Sequence, residues 1–255
     1  NRNNPLLEAY GRIDSTNPCG EQPLHPFDAC NLGSLNLSKF ADQNKINWPR
    51  LKAVTAIAVR MLDNVIDAGK YPLPQINDTV KANRRIGLGV MGWADLLFKL
   101  GIPYNSDAGI NLAKKVMRFI QQSSWEASRD LATEKGVFPR WKASSFARGW
   151  DPLQKKIIPG KKWRVRNVAI TTIAPTGTIS MVADTSSGIE PVFALAFVKN
   201  VVDEGGLTYI NQWFAKSLRQ QVGQNGVYNS LISAVSQEGS AQHVENMPHS
   251  LKQVF

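Results

Sequence analysis

The segment Asn17-Pro18-Cys19-Gly20-Glu21 places an amide, a thiol and a carboxylate at alternate positions of the chain. In an extended loop, alternate side chains point to the same side, so these three groups would share one small volume. A carboxylate in that volume can take a proton from a substrate hydroxyl while the sulfur carries out a different step. Pro18 and Gly20 would allow such a loop to be tight. The alternative interpretation is a structural turn around a buried cysteine.

A second candidate site follows residues 165–173, which are apolar and β-branched as in a buried strand. This predicted strand stops at Pro175-Thr176-Gly177-Thr178, where a helix begins. Backbone N–H groups at a helix start, together with two hydroxyls, suit an anion such as a phosphate. The loop is not of the Walker A type, because no Gly-Lys-Ser/Thr follows. A plain strand-to-helix turn with a threonine cap is the alternative.

The segment Gly87-Leu88-Gly89-Val90-Met91-Gly92 matches the G-x-G-x-x-G pattern of dinucleotide sites. That fingerprint requires a strand directly before it and an acidic residue at the end of a strand about twenty residues later. Residues 83–86 do not form an apolar strand, and residues 104–107 do not end one. We therefore predict that residues 78–100 are helical in two parts, bent near the glycines, which allow close helix packing.

The cysteines and histidines do not form a metal-binding or disulfide pattern. Cys19 and Cys30 are the two cysteines of the chain, and His25, His243 and His249 have no matching spacing. A zinc site needs four ligands at characteristic spacings, and a disulfide scaffold needs more cysteines. No metal site is predicted, and spacing alone favours two structural thiols.

Composition is typical of a soluble globular protein, with 43% hydrophobic and 20% charged residues in 255. No apolar run is long enough to span a membrane, and no signal peptide pattern is present, so we expect a cytoplasmic protein. The chain lacks an initiator methionine, which suggests that it begins inside a longer product.

The net charge of +10 comes from residues 111–166, which hold fourteen Lys and Arg against four Asp and Glu. Such a local excess suits a phosphate-bearing partner, but a solvated helical face followed by a basic loop is the favoured explanation. Aromatic residues are not interleaved as for stacked bases, so nucleic-acid binding is not expected.

Apolar periodicity predicts an α/β protein with one domain. The first forty residues are predicted as loop and turn. Further helices are predicted at residues 48–68, 106–134, 212–222 and 228–235, and a second strand at residues 192–202. The predicted apolar face of the first helix consists of Leu51, Val54, Ile57, Ala58, Met61, Leu62, Val65 and Ile66.

Three motifs resemble ribonucleotide reductases in the order expected for that family. Residues 17–24 and 30–37 resemble the finger-loop region, and the Pro-Cys-Gly-Glu order resembles the adenosylcobalamin-dependent class II enzymes. Class I enzymes usually have another residue in place of Pro18. Residues 85–95 resemble a helix motif of the family, and residues 173–180 and 187–191 its phosphate loop and the following segment. The similarity extends from about residue 16 to residue 255, with a less familiar stretch between 140 and 162.

The resemblance implies part of a ten-stranded α/β barrel with the finger loop inside it. Residues 1–255 would form a single partial catalytic domain, with the finger loop at about 16–37 and the phosphate loop at about 174–180. The implied cofactor is adenosylcobalamin, and the implied substrate is a ribonucleoside di- or triphosphate. The residues expected to bind it are Asn17, Pro18, Cys19, Gly20, Glu21, Pro175, Thr176, Gly177, Thr178 and Ile179.

The resemblance also assigns catalytic roles. Cys19 would carry a thiyl radical that removes the 3′ hydrogen of the ribose, and Glu21 would accept the 3′-hydroxyl proton. Asn17 would hold that region by hydrogen bonds, and Cys30 would belong to the redox pair that supplies the reducing electrons. The protein would provide placement and protection for this radical chemistry.

The cysteine count limits what the chain is expected to do alone. In the family, the partner of Cys30 lies on an upstream barrel strand, and a C-terminal cysteine pair relays electrons from thioredoxin-like donors. With two cysteines in total, we expect no multiple-turnover reduction without the upstream half and such a reductant. A split-gene subunit, a truncation and a piece of a longer chain are the alternatives.

Three other functions remain open from the sequence. One is a class I-type reductase fragment that needs a metal-containing radical subunit. Another is a non-catalytic nucleotide-binding remnant, although the presence of Asn17, Cys19 and Glu21 together argues against it. The last is a basic nucleic-acid-binding protein.

Overall fold

The computed structural model describes residues 1, 3–42, 44–201 and 205–255. The helices are α1 (Leu7–Tyr10), α2 (Trp48–Ala68), α3 (Pro74–Asn83), α4 (Trp93–Leu100), α5 (Asp107–Lys135), α6 (Gly177–Val182), α7 (Gln212–Val222), α8 (Gly226–Glu238) and α9 (His249–Val254). Short 3-10 helices span Leu37–Phe40 and Pro139–Ala143. The strands are β1 (Ser15–Thr16), β2 (Pro23–Leu24), β3 (Asn31–Asn36), β4 (Ala41–Asp42), β5 (Lys45–Ile46), β6 (Ile86–Met91), β7 (Trp150–Asp151), β8 (Lys156–Ile157), β9 (Ala196–Val201) and β10 (Gly205–Ile210). The predicted α/β class is confirmed.

Several predicted helices are confirmed, because their ends carry clear signals. Helices α2 and α7 have the predicted bounds, and α8 extends beyond the predicted residues at both ends. Helix α5 begins after Ser106, whose Oγ accepts a hydrogen bond from the backbone N–H of Gly109 at 3.1 Å. The second predicted strand begins later than expected, as β9, and residue 202 at its predicted end lies outside the described residues.

The prediction of a two-part helix over residues 78–100 is right for its two helical parts, α3 and α4, and wrong for the glycine-rich segment between them. Between helices α3 and α4, the glycine-rich segment forms strand β6, in which every residue is buried. A strand covered on both faces reads as a continuous apolar run and has no alternation to distinguish it from a buried helix. The prediction of loop and turn for the first forty residues is also incomplete, since β3 pairs with β6.

The predicted apolar face of α2 is wrong in part. The buried residues of this helix are Leu51, Thr55, Val59, Leu62, Asp63 and Ile66. Ile57, Met61 and Val65 lie outside the core, with 66%, 55% and 43% of their surfaces exposed. The buried face includes two polar residues whose hydrogen bonds are satisfied inside the protein, and counting apolar residues cannot find such a face.

The described residues form two compact units. The first consists of Asn1–Leu35, Asn47–Met91 and Lys114–Gly177. The second consists of Asn36–Ile46, Gly92–Ala113 and Thr178–Phe255. No helix in the described parts of the chain is both long enough and apolar enough to cross a membrane.

Strand β6 is central to the first unit. Its Leu88 donates to the carbonyl of Ile170 at 2.7 Å and accepts from the backbone N–H of Thr172 at 3.1 Å. Leu88 and Thr171 form a parallel bridge. The predicted strand at residues 165–173 therefore runs beside β6 as an extended, hydrogen-bonded segment, although regular strand pairing is limited to this bridge.

A buried ionic network holds α2, the end of α3 and the segment before Thr172 together. The Asp63 carboxylate is fully buried and accepts from Arg84 Nε at 2.8 Å, Asn167 Nδ2 at 2.9 Å and Arg166 Nε at 3.3 Å. Arg84 also donates two hydrogen bonds to Asp67, which hold the pKa of Asp67 below its usual value. Each buried charge thus has an opposite charge in direct contact, as its desolvation requires.

The second unit has its own apolar core. Phe255 packs against Phe98 and Phe214, with ring centroids 4.4 and 5.4 Å apart. Helices α7, α8 and α9 contribute further buried residues to this core. Asn211 caps the start of helix α7: its side-chain oxygen accepts hydrogen bonds from the backbone N–H groups of Trp213 and Phe214.

We expect Asp63→Ala to lower the free energy of unfolding by about 3–5 kcal/mol, because two largely buried guanidinium groups lose their shared counter-ion. Urea denaturation followed by tryptophan fluorescence measures the change. Glu134→Gln, which removes the charge of the exposed partner of Arg60, is the matched control and should leave the free energy of unfolding nearly unchanged. Equal shifts in the two variants would contradict a special role for the buried network.

Candidate functional site

The segment predicted to carry the chemistry forms a closed hairpin loop. Strands β1 and β2 pair antiparallel, with Thr16 opposite Pro23. Within the loop, Asn17 Oδ1 accepts from the backbone N–H of Gln22 at 3.0 Å, and the Asn17 carbonyl accepts from Gly20 N–H at 3.0 Å. Gly20 has φ of +78°, a left-handed conformation that suits glycine. The loop is therefore tight, but it is a turn and not the extended segment predicted.

The three candidate groups occupy different positions on this loop. Cys19 lies at the tip and is exposed, so the alternative of a turn around a buried cysteine is also wrong. Glu21 is half-buried, and its Oε2 is a buried acceptor that has no hydrogen-bond partner in the part of the chain that the structure describes. Asn17 uses its amide oxygen to close the loop. A buried carboxylate oxygen without a partner is rare and suits a hydroxyl that arrives with a ligand.

One side chain ties the loop to the strand segment beside β6. Thr172 is buried, and its hydroxyl donates to the carbonyl oxygen of Glu21 at 2.7 Å. Because Thr172 is itself hydrogen-bonded to Leu88 of β6, the position of Glu21 depends on the centre of the first unit. The sequence provides no local signal for this contact, since Thr172 stands outside the predicted loops.

Cys30 lies near Glu21, in the same unit. Its thiol donates to the carbonyl of Asn31 at 3.5 Å, and neither Cys30 nor Cys19 forms a disulfide. Burial raises the pKa of Cys30 to about 12, and the carboxylates of Asp28 and Glu21 act in the same direction. Cys30 is therefore a protonated thiol at neutral pH.

Gly87, in strand β6, allows the Cys30 side chain to come close to that strand. A Cβ atom at position 87 would lie 2.5 Å from Leu32 Cδ2 and 3.1 Å from both Cys30 Sγ and Thr172 Cγ2. A Cβ atom at Gly89 would lie 3.2 Å from Ser34 Oγ. The residue numbers of the contacting positions increase together along the two segments, from 87 beside Cys30 to 89 beside Ser34, as in a parallel pair of strands. The glycines of this segment therefore serve close strand packing and not close helix packing.

The predicted phosphate loop has the expected change from extended segment to helix. Helix α6 begins at Gly177, after an exposed Pro175, and Thr178 and Ile179 in its first turn are exposed. Thr176 is buried and has φ of +60°, an unusual conformation for a β-branched residue. Such strained residues occur often at binding sites.

The second unit holds the segment that follows α6. The buried Asp95 carboxylate accepts from Thr185 Oγ1 at 2.7 Å and from the backbone N–H of Ser186 at 2.8 Å. The hydroxyls of Ser180 and Ser187 are 2.8 Å apart. Thr178 and Ile179 belong to this second unit, whereas Cys19, Glu21, Cys30 and Thr172 belong to the first.

Part of the basic stretch has structural partners. Arg166 contacts Asp63, and Arg140 donates to Asn83 at 3.1 Å. Arg129 and Lys161 both lie over the ring of Trp163. Within the described ranges, no group of three or more His, Cys, Asp or Glu side chains is arranged to hold a metal ion.

Comparison with known proteins gives one family across the whole chain. The protein-family model described as "Ribonucleotide reductase, barrel domain" matches residues 1–255. The chain is 46% identical over its full length to a vitamin B12-dependent ribonucleoside-diphosphate reductase of Thermoplasma acidophilum, and 43% identical to one of Mycobacterium tuberculosis. It is 30% identical, over 96% of its length, to a ribonucleoside-diphosphate reductase subunit alpha of Chlamydia pneumoniae. It spans 31%, 34% and 26% of these three relatives.

We expect Gly87→Ala to destabilise the first unit by roughly 1–3 kcal/mol, because the added methyl group overlaps Leu32 and crowds Cys30. Urea denaturation measures the loss. Gly226→Ala, at the start of α8 with open space around it, is the control and should not destabilise the chain. A loss no larger than that of the control would contradict close packing at position 87.

The two thiols should differ strongly in reactivity. We expect Cys19, in a Cys30→Ser chain, to react with iodoacetamide at pH 8 far faster than Cys30 in a Cys19→Ser chain. The thiolate is the reactive form, and a raised pKa means that the Cys30 rate keeps increasing as the pH rises toward 12. Mass spectrometry of the alkylated chain gives both rates, and equal rates at pH 8 would contradict the burial of Cys30.

Proposed function

Because this chain belongs to the ribonucleotide reductase barrel-domain family, we propose that it is the catalytic portion of an adenosylcobalamin-dependent ribonucleotide reductase. The reaction is the reduction of ribonucleotides to 2′-deoxyribonucleotides. The observation that carries the proposal is an exposed thiol, Cys19, at the tip of a closed loop. The same loop holds a buried oxygen of Glu21 that no described residue pairs. The order of finger loop and phosphate loop, about 155 residues apart, supports the same assignment.

Cys19 is proposed to carry the thiyl radical. Its thiol is exposed at the loop tip, where a radical source can reach it, and the hydrogen bonds between Asn17, Gly20 and Gln22 hold that tip in one shape. Adenosylcobalamin would supply the radical chemistry, and the Cys19 thiol would be the group that gives up its hydrogen atom. The names of two relatives, which describe vitamin B12-dependent enzymes, support this cofactor. Cys19 then takes the 3′ hydrogen atom of the ribose.

Glu21 is proposed to accept the proton of the 3′-hydroxyl. Its free Oε2 supports this role, because a carboxylate oxygen inside the protein gains most from a new hydrogen-bond donor. The bond from Thr172 to the Glu21 carbonyl fixes the backbone at this residue, so the carboxylate need not be positioned by the substrate itself. Asn17 would hold the same region, with its amide nitrogen directed to substrate while its oxygen closes the loop.

Cys30 is proposed to be one of the two thiols that supply the reducing electrons. Loss of the 2′-hydroxyl as water needs two electrons and two protons, which two thiols provide when they become a disulfide. A thiol that keeps its proton at neutral pH suits this role. Since the chain has only Cys19 and Cys30, the second thiol is proposed to belong to the upstream half of the enzyme, with a thioredoxin-like reductant to reopen the disulfide.

The phosphate loop is proposed to hold the phosphates of the substrate. The exposed hydroxyl of Thr178 and the backbone at Gly177 are the donors, and the strained backbone at Thr176 directs the turn. Pro175 and Ile179 flank this turn. The substrate is a ribonucleoside diphosphate or triphosphate.

We further propose that residues 1–255 belong to one catalytic barrel domain that packs against the upstream half. The exposed apolar side chains of Ile57, Met61 and Val65 on α2 support a covered surface in the complete enzyme. Free thiols and a nucleotide substrate support a cytoplasmic location.

A chimera tests the proposal. We expect that replacing the matching third of the Thermoplasma acidophilum relative with this chain gives an enzyme that forms deoxyribonucleotides only with adenosylcobalamin. Cys19→Ser should abolish product formation, because a serine hydroxyl cannot take the place of the thiol that forms the thiyl radical. Ser15→Ala, in the same hairpin, should retain product formation. The isolated 255-residue chain, with adenosylcobalamin and a dithiol, should give no sustained turnover.

Each other outcome identifies an alternative. Activity that requires a metal-containing radical subunit and ignores adenosylcobalamin would indicate a class I-type fragment, as the similarity to the chlamydial subunit alpha allows. Nucleotide binding without turnover would indicate a non-catalytic remnant. Product formation by the Cys19→Ser chimera would exclude a thiyl role for Cys19.

A further inference from the structure

A second buried ion pair lies beside the proposed redox thiol. Arg85 Nε donates to Asp28 Oδ2 at 2.9 Å, and the two side chains are 4% and 0% exposed. The same carboxylate accepts from Asn83 Nδ2 at 2.9 Å and from the backbone N–H of Ala29 at 3.1 Å. Asp28 is therefore fully engaged, and its position is fixed by both neighbours and backbone.

Arg85 is only partly engaged. Its Nη2 is buried and has no hydrogen-bond partner among the described residues. Native proteins rarely leave a guanidinium N–H buried and unpaired, so a partner that is absent from the resting thiol state is the expected explanation.

Two contacts bring Arg85 and Cys30 into the same part of the structure. Arg85 and Gly87 are two positions apart in the chain, as are Asp28 and Cys30. Asp28 contacts Arg85, and Cys30 Sγ lies 3.1 Å from the Cβ position of Gly87. Arg85 lowers the pKa of Cys30 against the effects of burial and of the carboxylates of Asp28 and Glu21.

We propose that Arg85 is a positioning residue for Cys30: its free guanidinium N–H holds the negative charge of the Cys30 thiolate. The redox meaning of this assignment rests on the proposed function. When a dithiol reductant attacks the other sulfur of a disulfide formed by Cys30, the protein disulfide bond breaks. Its electron pair stays on the Cys30 sulfur, a mixed disulfide forms at the other sulfur, and Arg85 stabilises the leaving thiolate until it takes up a proton.

The test measures the Cys30 thiolate directly, in the 255-residue chain with Cys19→Ser. The probe is methyl methanethiosulfonate, a small uncharged thiol reagent, used at pH 9. Arg85→Gln should slow the reaction about tenfold, because a shift of one pKa unit changes the thiolate fraction tenfold. Asp28→Asn should speed it by a similar factor, and Arg85→Lys, which keeps the charge, should stay within about threefold of the parent.

The opposite rate changes expected for Arg85→Gln and Asp28→Asn distinguish an effect of charge from a loosening of the fold. Both substitutions break the same ion pair, so loosening of the fold alone would expose Cys30 and speed the reaction in both variants. An unchanged or faster reaction in folded Arg85→Gln would overturn the proposal. If Arg85→Gln does not fold, as judged by tryptophan fluorescence, Asp28→Asn decides the matter, and no increase in its rate overturns the proposal. These rates need no enzyme activity, so they hold whether or not the chimera is active.

Discussion

The first unit depends on the buried carboxylate of Asp63. This one group faces Arg84 at the end of α3, and Arg166 and Asn167 just before the segment that runs beside β6. A charge taken out of water is tolerated only with its partners in place, so a shift of either segment along the other would leave a buried ion unpaired. The network therefore specifies how β6 and its neighbour are aligned, in a region where apolar side chains alone would permit several alignments.

Alignment at the centre of the unit determines where the reactive groups lie. Leu88 bonds to the Thr172 backbone, and Thr172 in turn holds the carbonyl of Glu21. The residue directly before Leu88, Gly87, leaves room for Cys30. The loop that bears Cys19 and the thiol proposed to supply electrons are thus attached to the same strand from different directions. Precision at the proposed radical site is a property of the strand core as much as of the loop.

Local signals predicted a large part of this architecture, and long-range contacts account for the rest. Helices α2 and α7 were predictable because apolar periodicity coincides with capping asparagines, Asn47 and Asn211. Strand β6 was not, since a strand buried on both faces carries no period. The chemistry of Cys19 and Glu21 was suggested by resemblance, whereas the anchoring role of Thr172 depends on a contact between residues 151 positions apart. No local pattern encodes a contact of that kind.

The bond between Thr172 and Glu21 also bears on how such genes can recombine. A crossover anywhere between these two codons would join a finger loop from one ancestor to an anchoring strand from another. The hybrid would keep every catalytic residue and still misplace them, because the hydroxyl and the carbonyl would come from lineages that had adjusted to different partners. Residues 21–172 of this chain are therefore expected to descend as one block, with viable exchange confined to either side of it.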